Sequence, residues 1–300
     1  MRARWITLAA LTIVLGGPAV ARACSQCMCG TPFPSDALGG VVPMEYRFGF
    51  EERYLSKSNA LEEGVPGEEQ EREHRVSGFA LWRPIDRLAL LGRLPYNVKE
   101  ITESPSGDVE TSQRSRGIGD AEALALVGLA RPASSGSLAL VLGVTAPTGN
   151  NDASENGERL DAHLQPGTGA WSGSAGLNLA VPMSRGGLEA SVLGRWSGTN
   201  DHGYRYGNVA LYNLGYTTPA RNGWQLLAQL NGRTAARDRF EEGELGENTG
   251  GTVVYAAPGV RWLAPNGIGL EAGLQIPVFE SLLGDQDEHT TGRLALSVGR

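Results

Sequence analysis

Three cysteines stand within seven residues, in the run Cys24-Ser25-Gln26-Cys27-Met28-Cys29-Gly30, and the chain has no others. Thiols at that spacing support two kinds of chemistry. In an oxidising compartment two of them close a local disulfide and leave the third free. As thiolates, Cys24, Cys27 and Cys29 form a soft donor set suited to Cu(I) or Zn(II). No His follows the C-x-x-C pair, so c-type haem attachment is not indicated. The second group able to do chemistry is ionic: Glu45, Arg47, Glu51, Arg93, Lys99, Asp120, Glu122, Glu189, Arg195, Arg233, Arg261, Glu271 and Arg293. These charges interrupt segments that are otherwise apolar. Enzyme chemistry finds no support. The four histidines, His74, His163, His202 and His289, have no identifiable nucleophile partner, and there is no G-x-S-x-G elbow.

The compartment follows from the first residues. Arg2 and Arg4 precede the apolar run Trp5–Gly16, and Ala21-Arg22-Ala23 forms an A-x-A cleavage site, so residues 1–23 read as a removable signal peptide. Losing Arg2, Arg4 and Arg22 takes the formal net charge from −7 to −10. Cleavage there makes Cys24 the first mature residue, but Ala21 and Arg22 fit a lipid-attachment signal poorly. Residues 24–41 then form a cysteine-containing periplasmic segment and residues 42–300 the folded domain. Past the signal no run of 18 apolar residues occurs, so no spanning helix can be built.

Apolar and polar residues alternate with period two through most of residues 42–300. Ile268, Leu270, Ala272, Leu274, Ile276 and Val278 lie on one side; Gly269, Glu271, Gly273 and Gln275 lie on the other. Tyr46, Phe48 and Phe50 likewise oppose Glu45, Arg47 and Glu51. Such segments predict twelve strands near 42–54, 71–82, 88–102, 118–130, 138–148, 169–182, 188–198, 206–216, 224–235, 252–263, 268–280 and 291–300. Fourteen strands would follow if a long loop held an extra hairpin.

Tight turn signals at 83–87, 131–137, 184–187, 217–223 and 264–267 alternate with long polar connections near 55–70, 103–116, 149–168, 199–205, 236–250 and 281–290. Short and long connections in turn are the pattern of an up-and-down transmembrane β-barrel, with short periplasmic turns and long outer loops. Lipid offers no hydrogen-bond partner, so every backbone amide must pair inside the sheet, and only a closed sheet has no edge. An all-β outer-membrane barrel of a Gram-negative bacterium is expected.

The charges named above then face the lumen, because a charge at the bilayer midplane costs about 2–4 kcal/mol. Two readings stay open. The charges zip into a network that fills and stabilises the lumen, or they line a narrow polar channel for small solutes, aromatic or anionic ones among them. A closed structural barrel or a metal-binding module using the cysteines is the alternative function. The long connections carry acidic groups: Glu62, Glu63, Glu68, Glu69, Glu71 and Glu73; Asp152, Glu155, Glu158 and Asp161; Glu241, Glu242, Glu244 and Glu247; Asp285, Asp287 and Glu288. They read as solvated outer loops able to hold divalent cations that bridge lipopolysaccharide.

Composition agrees. Gly is 42 of 300 residues, without the period of collagen, and only Lys57 and Lys99 are lysines. The acidic balance argues against a nucleic-acid partner. The expected partners are the bilayer and lipopolysaccharide, the barrel assembly machinery and a small-molecule solute; no cofactor is expected beyond copper or zinc at the cysteines.

The sequence resembles a large family of bacterial outer-membrane barrels classed as transporters, some linked to the meta-pathway of phenol degradation. The resemblance rests on the Cys-rich start and on Ser115-Arg116-Gly117-Ile118-Gly119-Asp120 opening a strand. Pro147-Thr148-Gly149 closes the next strand and Leu164-Gln165-Pro166-Gly167-Thr168-Gly169 enters another. Tyr255-Ala256-Ala257-Pro258-Gly259 and Gln275-Ile276-Pro277-Val278 complete the set. It implies passage of small molecules across the outer membrane and brings no catalytic residues. Such barrels usually end on an aromatic residue, whereas this chain ends Ser297-Val298-Gly299-Arg300.

Overall fold

A computed structural model describes residues 45–61, 66–106, 109–130, 136–240, 243–246 and 248–300. The signal peptide, Cys24, Cys27 and Cys29, and the loop acids Glu62, Glu63, Glu241, Glu242 and Glu247 lie outside the described residues. In chain order the strands are β1 (Tyr46–Ala60), β2 (Gly67–Ile85), β3 (Leu88–Pro105), β4 (Thr111–Ile118), β5 (Ala121–Ala130), β6 (Ser137–Ala146), β7 (Ser154–Glu155) and β8 (Glu158–Arg159). After a single 3-10 turn at Ala162–Leu164 come β9 (Ser172–Met183), β10 (Gly186–Ser197), β11 (Val209–Thr217) and β12 (Trp224–Ala235). The chain finishes with β13 (Gly251–Leu263), β14 (Ile268–Leu282), β15 (Gln286–Glu288) and β16 (Thr291–Gly299).

All the large strands pair antiparallel with their neighbours, and β1 closes the ring by pairing β2 on one side and β15 and β16 on the other. β4 and β5 pair successive stretches of β3, so they are two halves of one stave broken at Gly119-Asp120. β15 and β16 divide a second stave in the same way. The barrel therefore has twelve staves, as the alternation predicts. The β7–β8 hairpin forms a small sheet of its own. Among the described residues no helix is long and apolar enough to cross a membrane; the strands make the crossing.

Local chemistry accounts for the staves. Asn222 and Gly223 both hold positive φ, at 51° and 84°, between Arg221 and Trp224, which exchange two backbone hydrogen bonds. That is a two-residue turn whose twist matches the paired strands. The outer face is apolar: Phe50 is 65 % and Leu226 62 % exposed, values that would be costly in water and are expected against lipid. Exposed Trp82 and Trp224 mark the end bearing the short turns, and exposed Trp171 and Trp196 mark the other, as interfacial aromatic girdles do.

Several boundaries differ from the sequence expectation. β1, β2 and β3 run beyond it, to Ala60, from Gly67 and to Pro105, so two supposed loops are largely strand. Glu69, Glu71 and Glu73 consequently sit on alternate positions of β2 and turn inward, paired across from Asn59, Lys57 and Leu55. Polar composition had marked them as loop, but a strand rising above lipid carries polar groups on both faces.

The interior is two-sided. Leu81, Leu91, Leu124, Leu126, Val141, Leu193 and Leu211 form one buried apolar cluster along the wall from β2 to β11. The wall of β12, β13, β14, β16 and β1 instead buries Asn231, Arg233, Arg261, Arg53 and Glu51 beside a small apolar cluster at Val253 and Tyr255, and the leucine wall itself carries the charges of Arg75, Arg93, Glu122 and Glu189.

Candidate functional site

After the exposed β7–β8 hairpin, the connection between β6 and β9 turns back and folds into the barrel. Leu164 and Gln165 have no exposed surface. Five consecutive carbonyls of this segment each accept a hydrogen bond from an inward side chain. Tyr206 Oη donates to Ala162 O (2.7 Å), Lys99 Nζ to His163 O (2.9 Å) and to Gln165 O (2.8 Å), and Asn97 Nδ2 to Pro166 O (2.7 Å); Ser115 Oγ donates to Leu164 O. Gln165 closes the segment on itself, bonding Ala153 N, Ala153 O and Leu160 O. Buried backbone acceptors need such partners, and here the barrel wall supplies them. Residues 162–166 are thus a constriction held across the upper lumen.

The stem of this segment passes through the break in the β4–β5 stave. Gly119, Gly149 and Gly167 meet there so closely that a Cβ on Gly149 would stand 2.7 Å from Gly167 Cα and 2.8 Å from Gly119 Cα. Only hydrogen atoms fit between the three backbones. Asp120 ties them, accepting from Gly149 N (3.0 Å), Thr168 N (2.7 Å) and Thr168 Oγ1 (2.5 Å). Thr148 Oγ1 accepts from Ala121 N and donates to Gly119 O. The three motifs Ser115–Asp120, Pro147–Gly149 and Leu164–Gly169 therefore converge on one joint. Leu164–Gly169 does not enter a strand, since β9 begins at Ser172, and Asp120 serves as the tie of the stem instead of an open lumen charge.

A buried polar latch holds the tip. His163 Nδ1 lies 3.4 Å from Glu71 Oε1, and Nε2 lies 3.4 Å from Asp238 Oδ2 and 3.1 Å from Tyr204 Oη. Tyr204 Oη donates to Asp238 Oδ2 (2.6 Å), and Lys57 Nζ pairs with Glu71 (2.6 Å). Burial opposes the charge on His163, but hydrogen bonds to Asp238 and Glu71 outweigh it and push its pKa up to about 10 from 6.5. Burial likewise disfavours the Asp238 carboxylate, yet His163 and Tyr204 hold it below its ordinary value. A raised His pKa gives stabilisation that is complete below the undocked value and lost as pH rises through the docked one. Conductance in planar bilayers is therefore expected to stay flat below pH 6.5 and to rise progressively toward pH 10. His163→Gln removes that rise; an identical rise in the variant would disprove the latch.

Below the constriction lies the charged belt. Glu51 accepts from Arg53 Nε (2.6 Å) and Arg293 Nε (2.6 Å), Arg293 Nη1 reaches Glu271 (2.6 Å), and Glu271 also holds Arg261 (2.7 Å). This chain of five spans β1, β16, β14 and β13. Across the lumen Glu122 bridges Arg93 (2.9 Å) and Arg195 (2.7 Å). Arg47, Arg93, Glu122, Arg233 and Arg261 are buried inside the barrel, with Arg195, Glu271 and Arg293 partly so. Glu189 bonds Asn178 (3.1 Å) deep in the lumen. Arg233 sits higher, paired with Glu288, to which Tyr255 Oη also donates (2.8 Å). Glu45 is the exception: it is exposed at the rim that bears the short turns, because β1 begins one residue later. The alternation missed Arg53 and Arg75, both inward and buried, although each lies an even number of residues from an inward neighbour.

Clefts flank the belt. One above it, with about 40 Å³ of free space, is lined by Lys57, Glu71, Lys99, His163, Arg233 and Glu288. Another, with about 70 Å³, borders Arg75, Asn97, Glu122, Arg195, Tyr206 and Val209.

No protein of curated function matches the sequence. Among solved structures, an outer-membrane channel from Pseudomonas putida F1 is similar with a TM-score of 0.66 at 15 % identity, covering 89 % of this chain and 99 % of that one. It shares the barrel fold. Looser likeness extends to the translocator domain of the autotransporter NalP from Neisseria meningitidis (TM-score 0.49, 14 % identity, 88 % and 91 % covered). The CymD monoaromatic hydrocarbon channel is comparable (0.46, 8 %, 88 % and 91 %). Residues 59–279 match the family described as "Putative MetA-pathway of phenol degradation", a span that holds the broken stave, the stem glycines and the constriction. The chain, a twelve-stave barrel with an inward-folded constriction, belongs to that family.

Proposed function

We propose that the protein is an outer-membrane channel for small solutes that combine an apolar body with an anionic group. The two-sided lumen carries this reading. Leu81, Leu91, Leu124, Leu193, Val209 and Leu211 run along one wall; in the belt Arg47, Arg53, Arg75, Arg93, Arg195, Arg261 and Arg293 outnumber Glu51, Glu73, Glu122, Glu189 and Glu271, while higher up Glu69, Glu71, Glu288 and Asp238 are balanced by Lys57, Lys99, Arg233 and His163. A cationic surplus in a narrow, low-dielectric passage lowers the barrier for anions and raises it for cations. An aromatic ring would slide along the leucines while its carboxylate steps between guanidinium groups. The lowest cost for such a solute lies where the two walls face each other, beneath residues 162–166.

Purified protein in a planar bilayer under a tenfold KCl gradient should show small steady currents. The reversal potential should lie on the chloride side, and benzoate should reduce the current more than acetate does. Cation selectivity would overturn the lumen reading. A silent barrel would favour the closed structural alternative.

A further inference from the structure

The outer wall of the barrel carries a cluster of cations that no solute path uses. Inside the barrel the strand arginines Arg47, Arg53, Arg75, Arg93, Arg195, Arg233, Arg261 and Arg293 all face inward. Arg72, Arg114 and Arg116 break that rule and are exposed on the outer face, as is His74. Strand register gathers them. Val76, Tyr96 and Ile118 form an exposed apolar row across β2, β3 and β4; the next row up is His74, Val98, Arg116, and the next Arg72, Glu100, Arg114. Neighbouring strands are about 4.8 Å apart and same-face residues about 6.7 Å apart, so the three arginine stems stand within about 12 Å of one another.

Height is the second observation. From exposed Trp82, in the lower girdle, to Arg72 is ten residues along β2. At about 3.3 Å per residue and a tilt of about 40° that is about 25 Å, the height of the apolar band of an outer-membrane barrel. The arginines therefore emerge where the outer leaflet's headgroups begin, with Tyr54 against His74 (ring centroids 4.9 Å) and Tyr96 just beneath. Two acids on the same face are already engaged, Glu52 with His74 (3.3 Å) and Glu100 with Ser112 Oγ (3.2 Å), and exposed Glu68 stands two rows above Arg72. Arg72 bonds Gln70 beside it, and no side-chain hydrogen bond or ion pair engages Arg114 or Arg116 among the described residues.

We infer that the outer face of β2, β3 and β4 binds the phosphorylated headgroup of one lipopolysaccharide molecule through Arg72, Arg114 and Arg116. Guanidinium groups bind phosphate in bidentate fashion, and the row Val76, Tyr96 and Ile118 below supplies apolar surface for the acyl chains. This attachment is direct, unlike the cation-bridged contact that acidic loops would make. It depends on the orientation of the barrel and not on what the lumen passes.

Protein refolded without lipid and mixed with bisphosphorylated lipid A should retain one molecule in native mass spectrometry, in the presence of EDTA. Retention should fall at least tenfold in the Arg72→Gln/Arg114→Gln/Arg116→Gln variant and, for wild type, with dephosphorylated lipid A. Arg116→Gln alone should give an intermediate loss. Heat-modifiable migration and wild-type conductance certify that each variant is folded. Equal retention by the folded variants would overturn the inference, as would wild-type retention abolished by EDTA, which would assign attachment to the acidic loops.

Discussion

Lys99→Met is expected to raise the single-channel conductance severalfold while leaving the barrel assembled. Lys99 Nζ donates to two of the five carbonyls that hold residues 162–166 in the lumen, those of His163 and Gln165. Methionine fills nearly the same volume and donates nothing. Hydrogen bonds involving a charged group contribute about 1.5–3 kcal/mol each, and a buried carbonyl left without a donor bears its own desolvation cost. Losing two such bonds removes about 3–6 kcal/mol from docking of the segment, enough to turn a segment docked about 99 % of the time into one largely released. The staves are untouched, since their hydrogen bonds run between backbones. Lys99→Arg, which keeps the charge and several donors, should open less. Wild-type conductance in Lys99→Met would show that the segment is held by its stem alone.

The strands were legible because lipid imposes a one-residue rule. Phe48 and Phe50 must face out and Arg47 and Glu51 must face in, so alternation alone placed them. The inward fold of residues 160–170 within the connection 149–171 was not legible. Its composition, rich in Asn, Asp, Gly and Glu, is that of any exposed loop, and its contacts are made by main-chain carbonyls, which leave no mark in sequence. The donors lie far away: Lys99 and Asn97 on β3, Ser115 on β4, and Glu71 some ninety residues before His163. One signal was available. The chain keeps only two lysines, Lys57 and Lys99, and both serve the constriction, one directly and one through Glu71. The glycines of three separate motifs were another, since Gly119, Gly149 and Gly167 fall where no strand alternation needs them and pack against each other.

The two-sided lumen was half legible. On β3 both faces carry leucine, with Leu88, Leu90 and Leu94 opposed by Leu91. A water-filled pore would not place leucine inside. A twelve-stave barrel has little room for water once its own side chains enter, so part of the interior packs as a core does. That packing confines the charged groups to the belt and the upper clefts.

Pairing in the belt sets the second large effect. Glu51→Gln should destabilise the barrel by about 3–5 kcal/mol, the usual cost of removing one partner from a buried ion pair. Glu51 is buried and satisfies two arginines at once, Arg53 and Arg293, each at 2.6 Å. Glutamine offers one carbonyl in place of two charged oxygens and turns an amide donor toward a guanidinium. Arg293 keeps Glu271 (2.6 Å), so the loss falls mainly on Arg53. Denaturant unfolding in lipid vesicles reads the change as a lower midpoint. In the same protein the lumen gains one net positive charge, so the chloride-to-potassium permeability ratio should increase. Glu52→Gln is the matched control: the next residue in sequence points to the opposite face and meets only His74 at 3.3 Å with both side chains about half exposed. Exposed pairs contribute about 0.2–1 kcal/mol, so that variant should unfold near the wild-type midpoint with unchanged selectivity. If Glu51→Gln unfolds there too, the belt is a solvated lining and the barrel owes its stability to the apolar wall alone.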